Sequence, residues 1–141
     1  MRICGVELTG NDAVVCLLEL EAGQFTIPEC RVRKLSVPKG HSRDDLQKFQ
    51  TTFAKLMEDY QVGKVVIRER MTKGKFAGGA VSFKLEAAIQ LLDALEVNLM
   101  SPGEIKQVVA ENPLAIPFSE TGLKVFQESA FMVAYASHMS A

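Results

Sequence analysis

Tryptophan is absent from this chain, and histidine (two), cysteine (three) and proline (five) are sparse among its 141 residues. Cys4, Cys16 and Cys30 make an odd count without a CxxC spacing, which argues against both a disulfide framework and a cysteine zinc site. They read as reduced, small, buried hydrophobes. His41 and His138 lie far apart, near the ends of predicted helices, and are expected to be solvated there rather than to serve a metal or a catalytic triad. No apolar run approaches the roughly 20 residues that span a bilayer. The opening MRICGVELTGNDAVV places polar and charged residues where a secretory signal carries its apolar core, so a cytoplasmic location without membrane contact is expected. The net charge is only −1, so an anion-binding face has to be built by local gathering of charge.

What is present is a full core. The 48% apolar content and the length suit one globular domain over residues 1–141. Residues 2–8 and 13–20 read as strands, with the turn cluster Thr9-Gly10-Asn11-Asp12 between them. A longer strand is expected over 25–35, at an edge or bulged, because Pro28 cannot donate to a ladder. Arg31, Arg33 and Lys34 would give that strand a charged edge. From Ser42 the period changes: Leu46, Phe49, Phe53 and Leu56 form a helical stripe, and Asp45 completes a capping box. Residues 64–68 are a continuous apolar run, the mark of a strand buried on both faces. A helix over 80–95, a strand over 97–100 and a short helix opened by Ser101-Pro102-Gly103-Glu104 follow. A loop over 112–118 leads to a last helix from about 119 to 138, apolar almost all round over 129–136.

This order predicts an α/β fold: an antiparallel meander of three strands, then two strands parallel to the first in one mixed five-stranded sheet, with helices on both faces. Ligands of such sheets bind beyond the carboxyl ends of the parallel strands, where the strand order reverses. That point brings Glu7 close to Arg68, Glu69 and Arg70.

The segment Lys64–Lys84, KVVIRERMTKGKFAGGAVSFK, gathers six basic residues (Lys64, Arg68, Arg70, Lys73, Lys75 and Lys84) against the single acid Glu69. Its glycines Gly74, Gly78 and Gly79 let a backbone approach a ligand closely, and it leads into a helix N-terminus, whose free N–H groups favour anions. Arg68, Arg70, Lys73 and Lys75 are the residues a phosphate backbone would attract, which points to DNA or RNA as partner. The plainer reading is a solvated basic loop. No Lys-Ser/Thr pair follows the second glycine, so the segment is not a P-loop, and nothing indicates an organic cofactor.

Ile3-Cys4-Gly5-Val6-Glu7, Val66-Ile67-Arg68-Glu69, Ser101 to Val109 and Gln127-Glu128-Ser129-Ala130, in that order and spacing, resemble the ribonuclease H-like superfamily and within it the RuvC-like Holliday-junction resolvases. The core RERMTKGKFAGGAVSFK also resembles a small bacterial family of unknown function. The first resemblance implies a ribonuclease H-like sheet, a homodimer, and a metal-dependent endonuclease acting on DNA or RNA. In that reading Glu7 and Glu128 hold Mg²⁺ or Mn²⁺ and Glu69 assists, because hard divalent ions take oxygen ligands.

The sequence departs from that pattern in three places. Glu7 is one methylene longer than the usual aspartate. Arg68 falls at the second acid position, and Glu69, one residue on, faces the other side of a regular strand. No second acid precedes Glu128 at helical spacing; Lys124 stands there instead, placed to pair with it. An arginine beside Glu7 would repel a metal, and would either pair with Glu7 or take a phosphate. Three functions therefore stand open: a nucleic-acid-binding protein with or without nuclease activity, an inactive domain serving as an interaction or regulatory module, and a small-molecule phosphate or nucleotide site at the glycine loop.

Overall fold

The computed structural model describes residues 1–74 and 79–140. In chain order it forms β1 (Arg2–Thr9), β2 (Asp12–Glu21), β3 (Gln24–Thr26), β4 (Lys34–Ser36), α1 (Arg43–Asp59), β5 (Lys64–Arg68), α2 (Ala80–Gln90), β6 (Glu96–Met100), α3 (Pro102–Glu111) and α4 (Glu128–Met139). One mixed sheet runs β3-β2-β1-β5-β6, with β4 also paired to β2. β1 and β2 are antiparallel from Arg2↔Glu19 to Thr9↔Asp12. β5 lies parallel to β1, and β6 parallel to β5. The reversal of strand order thus falls between β1 and β5, as the sequence pattern predicts.

The third strand expected over 25–35 is instead two short strands that share one edge of β2. β3 pairs with Glu19–Glu21 and β4 with Asp12–Val14. Pro28 lies between them and removes a donor the ladder would need. Arg31 and Arg33 therefore sit in a connection rather than along a strand, where Arg31 binds Asp59 at 2.7 Å and the Arg33 carbonyl still accepts the Val15 N–H at 2.9 Å.

Strand alternation divides the core in two. Cys4, Val6, Leu8, Val65 and Ile67 pack with Phe49, Phe53 and Leu56 of α1 and with Leu85 and Ile89 of α2. Ile3, Val14, Cys16, Leu18 and Val66 pack with Ile105 of α3 and with Ala130, Val133 and Ala134 of α4. The cysteines are free thiols, as expected, with Cys4 and Cys16 buried. Both predicted capping boxes form: Ser42 with Asp45 opens α1 and Ser101 with Glu104 opens α3.

Two helix boundaries differ from the periodicity. α2 stops at Gln90 rather than 95, as Leu91 and Leu92 N–H groups turn back to Ala87 and Ile89. The last helix begins at Glu128 rather than near 119. Pro117 and Gly122, the latter in the left-handed region at φ 81, break the chain into two 3-10 turns, Phe118–Glu120 and Val125–Gln127, before α4 starts. Apolar composition alone does not reveal such a break.

α4 lies directly on β1. A Cβ built on Gly5 would stand 1.9 Å from the Ala130 carbonyl oxygen and 2.9 Å from the Ala134 methyl group. Gln127 donates to the Val15 carbonyl at 3.1 Å, and His138 Nε2 lies 2.8 Å from the Leu18 carbonyl. Val15 pairs with Val6 and Leu18 with Ile3, so α4 runs antiparallel to β1, its N-terminus toward the carboxyl end of that strand. His138 is therefore packed, not solvated as its place in the sequence suggests.

Gly5→Ala is expected to cost roughly 3 kcal/mol or more, because backbone rather than a side chain occupies the space, and urea unfolding should show it as a lower midpoint. Burial holds His138 below its ordinary 6.5, so its neutral form supports the fold fully above the unfolded value and that support is lost as pH falls through the folded one. The difference in melting temperature between wild type and His138→Gln should accordingly shrink between about pH 7 and about pH 5.

Candidate nucleic-acid interface

Three of the expected site residues come to one end and one face of the sheet. Glu7 follows Val6, which pairs with Ile67, so Glu7 and Arg68 flank each other on adjacent parallel strands. By alternation both share the face of Ile3 and Val66, the face that carries α4. The direction of α4 brings Glu128, the first residue of that helix, to the same end. Glu7 and Arg68 are half-buried and Glu128 is exposed.

Glu69 is placed differently. β5 is regular to its last residue, and the Glu69 N–H continues the ladder to the Met100 carbonyl at 2.8 Å. No bulge swings it toward Glu7. It lies instead near Glu86 of α2, on the opposite side of the sheet, where its charge and, more strongly, burial push the Glu86 carboxyl above its ordinary range. The Arg70 backbone N–H opposes that shift by favouring the ionised Glu86. Two side-chain atoms here, Glu86 Oε2 and Arg70 Nε, are buried without a hydrogen-bond partner among the described residues.

The basic residues follow from the end of β5. Arg70 is half-buried and Lys73 exposed, and Gly74 adopts φ 95, a conformation open to glycine at little cost. Lys75 and Gly78 lie outside the described residues. Gly79 caps α2 without a side-chain hydrogen bond, and no acid occupies the first turn of that helix. Its free N–H groups thus add to the positive end of the surface. Lys84 reaches back to His41 Nδ1 at 2.8 Å. Among the described residues no carboxylate lies within 4.0 Å of Arg68, Arg70, Lys73 or Lys84.

Of the two arrangements open to Arg68, the pair with Glu7 does not form, and Lys124 does not close on Glu128 either. Lys124 contributes its backbone N–H to Gln127 Oε1 at 3.1 Å. Gln127, 5% exposed, thus spans Lys124 and the Val15 carbonyl with both ends of its amide. The resemblance takes in Gln127 without giving it a role of its own; in the sequence it stands out only as a glutamine just ahead of an apolar helix.

These residues do not fit a two-metal centre. Glu69 points to the far face, Arg68 brings a cation against Glu7, and the buried Gln127 amide is already engaged. No group of three or more His, Cys, Asp or Glu side chains is arranged to hold a metal among the described residues. The clefts lie elsewhere too: one of about 250 Å³ lies beside β2 and Gln127, and one of about 340 Å³ lies between Lys64 and α3. Glu7, Arg68 and Glu128 line neither.

A mixed sheet with this order and helices on both faces is a ribonuclease H-like α/β fold. The fold is similar to Thermus thermophilus RuvC, with a TM-score of 0.76 over 99% of this chain and 94% of that one at 11% identity. It is also similar to T. thermophilus RuvC in complex with a Holliday junction substrate, with a TM-score of 0.74, the same coverage and 10% identity. The chain belongs to the family described as "Protein of unknown function (DUF3010)", whose model matches residues 1–137. No curated protein matches it.

Calorimetric titration with Mn²⁺ should give no saturable binding for the wild type. Arg68→Glu, which sets a second carboxylate beside Glu7, is expected to create it; the reverse result would restore the carboxylate centre.

Proposed function

We propose that this protein binds nucleic acid through the phosphate backbone, using Arg68, Arg70 and Lys73 at the carboxyl end of β5 together with Lys75, which follows them in sequence, without a two-metal nuclease centre. The observation that carries the reading is the gathering of cations at the sheet's strand-order reversal in a chain of net charge −1, with none of the described ones closed into an ion pair within 4.0 Å. A guanidinium offers a phosphate two parallel donors, and released counterions drive the binding. The RuvC neighbour solved with a Holliday junction substrate makes branched DNA a natural probe beside duplex DNA and RNA. Glu7, Arg68 and Glu128 would then form a surface of mixed charge that orients the backbone rather than cleaves it.

The second reading, an interaction module, is favoured by three exposed apolar side chains on the connection ahead of α4: Ile116 (48%), Val125 (84%) and Phe126 (47%). That connection is where a partner protein or a second copy of this chain would seat. No helix is long and apolar enough to cross a membrane among the described residues.

Fluorescence anisotropy with labelled duplex and four-way DNA should give an affinity that falls linearly on logarithmic axes as salt rises. Arg68→Ala and Lys73→Ala should each flatten that slope by about one, and neither Mg²⁺ nor Mn²⁺ should produce cleavage. Absence of salt-dependent binding would move the function to the 113–127 connection, where Val125→Ser with Phe126→Ser would then abolish partner capture or self-association.

A further inference from the structure

Arg70 and Glu86 leave complementary polar atoms unused in one small region. Arg70 Nε is a buried donor and Glu86 Oε2 a buried acceptor, and neither has a hydrogen-bond partner among the described residues. The residues are neighbours, since the Arg70 backbone N–H acts on the Glu86 carboxylate. Leaving a buried charged donor or acceptor unmade costs free energy on each side, and a guanidinium and a carboxylate are the pair that would relieve both. Yet no ion pair closes between them within 4.0 Å. α2 is anchored beneath by Leu85 and Ile89, both fully buried, so Glu86 is a fixed point. Arg70 stands two residues past the end of β5, outside the strand ladder.

We infer that Glu86 is a positioning residue for the phosphate-binding surface: when an anion engages the terminal nitrogens of Arg70, Glu86 Oε2 takes Arg70 Nε and fixes the guanidinium. This rests on the reading that the β5 end binds nucleic-acid phosphates. A guanidinium can serve both partners because its donors point along different edges. The carboxylate takes the Nε edge and leaves the opposite edge for a phosphate. An acid set under a basic surface would by charge alone weaken anion binding. A positioning role has the opposite sign, which makes the two separable.

The test is binding of a labelled DNA duplex of about 20 base pairs, measured at several salt concentrations, by wild type, Glu86→Gln, Arg70→Lys and the double variant, each checked for an unchanged melting curve. Arg70→Lys keeps the charge but has no Nε. Glu86→Gln is expected to weaken binding about tenfold despite removing a negative charge, and to flatten the salt slope by about one. The double variant should bind no more weakly than Arg70→Lys alone. Unchanged or tighter binding by Glu86→Gln overturns the inference while the nucleic-acid reading stands, as do losses that multiply in the double variant. A wild type without salt-dependent binding overturns both.

Discussion

The contact on which the rest of the molecule depends is the seat of α4 on β1 at Gly5. The Ala130 carbonyl occupies the space where any other residue would carry its Cβ, so helix and strand approach as backbone to backbone. That approach fixes the height of α4 above the sheet, and the Gln127 and His138 bonds to β2 carbonyls fix its direction. With height and direction set, the N-terminus of α4 stands at the carboxyl end of β1. The meeting of Glu7, Arg68 and Glu128 is a consequence of that packing and needs no bond among the three.

The same frame explains why the acids do not converge. Strand alternation is strict as far as Arg68, so residues one apart fall on opposite faces. Arg68 is given to the α4 side and Glu69 to the α2 side, where it meets Glu86. Only a bulge would reassign them, and the ladder bond from Glu69 N–H to Met100 shows none. What the sheet delivers at its strand-order reversal is a guanidinium beside a carboxylate, followed past the end of β5 by Arg70 and Lys73. That suits an extended polyanion held along a surface better than a small substrate held in a cleft.

Much of this was legible in the chain. The 2-to-3.6 change of period at Ser42, the two capping boxes and the buried run 64–68 announced their elements, and their order announced the mixed sheet. The opposite facing of Glu69 followed from counting residues along a strand. Other features depend on contacts that pattern cannot see. Pro28 signalled an irregular edge, but only pairing with β2 shows two strands rather than one bulged strand. The late start of α4 hides in an apolar stretch whose break is made by Pro117 and Gly122. Gly5 did carry a readable signal, since a glycine inside a buried strand marks close backbone approach. Glu86 carried almost none, being one acid beside the buried stripe of an amphipathic helix.

The carboxyl end of β5 is the surface proposed to meet nucleic acid. Amide chemical-shift mapping of the labelled protein during titration with duplex DNA is the direct test. Binding there should concentrate the shifts at Arg68–Lys73, at Glu7 and at the first turns of α2 and α4. Shifts confined to the 113–127 connection, or none at DNA concentrations that saturate ordinary nucleic-acid-binding domains, would contradict it.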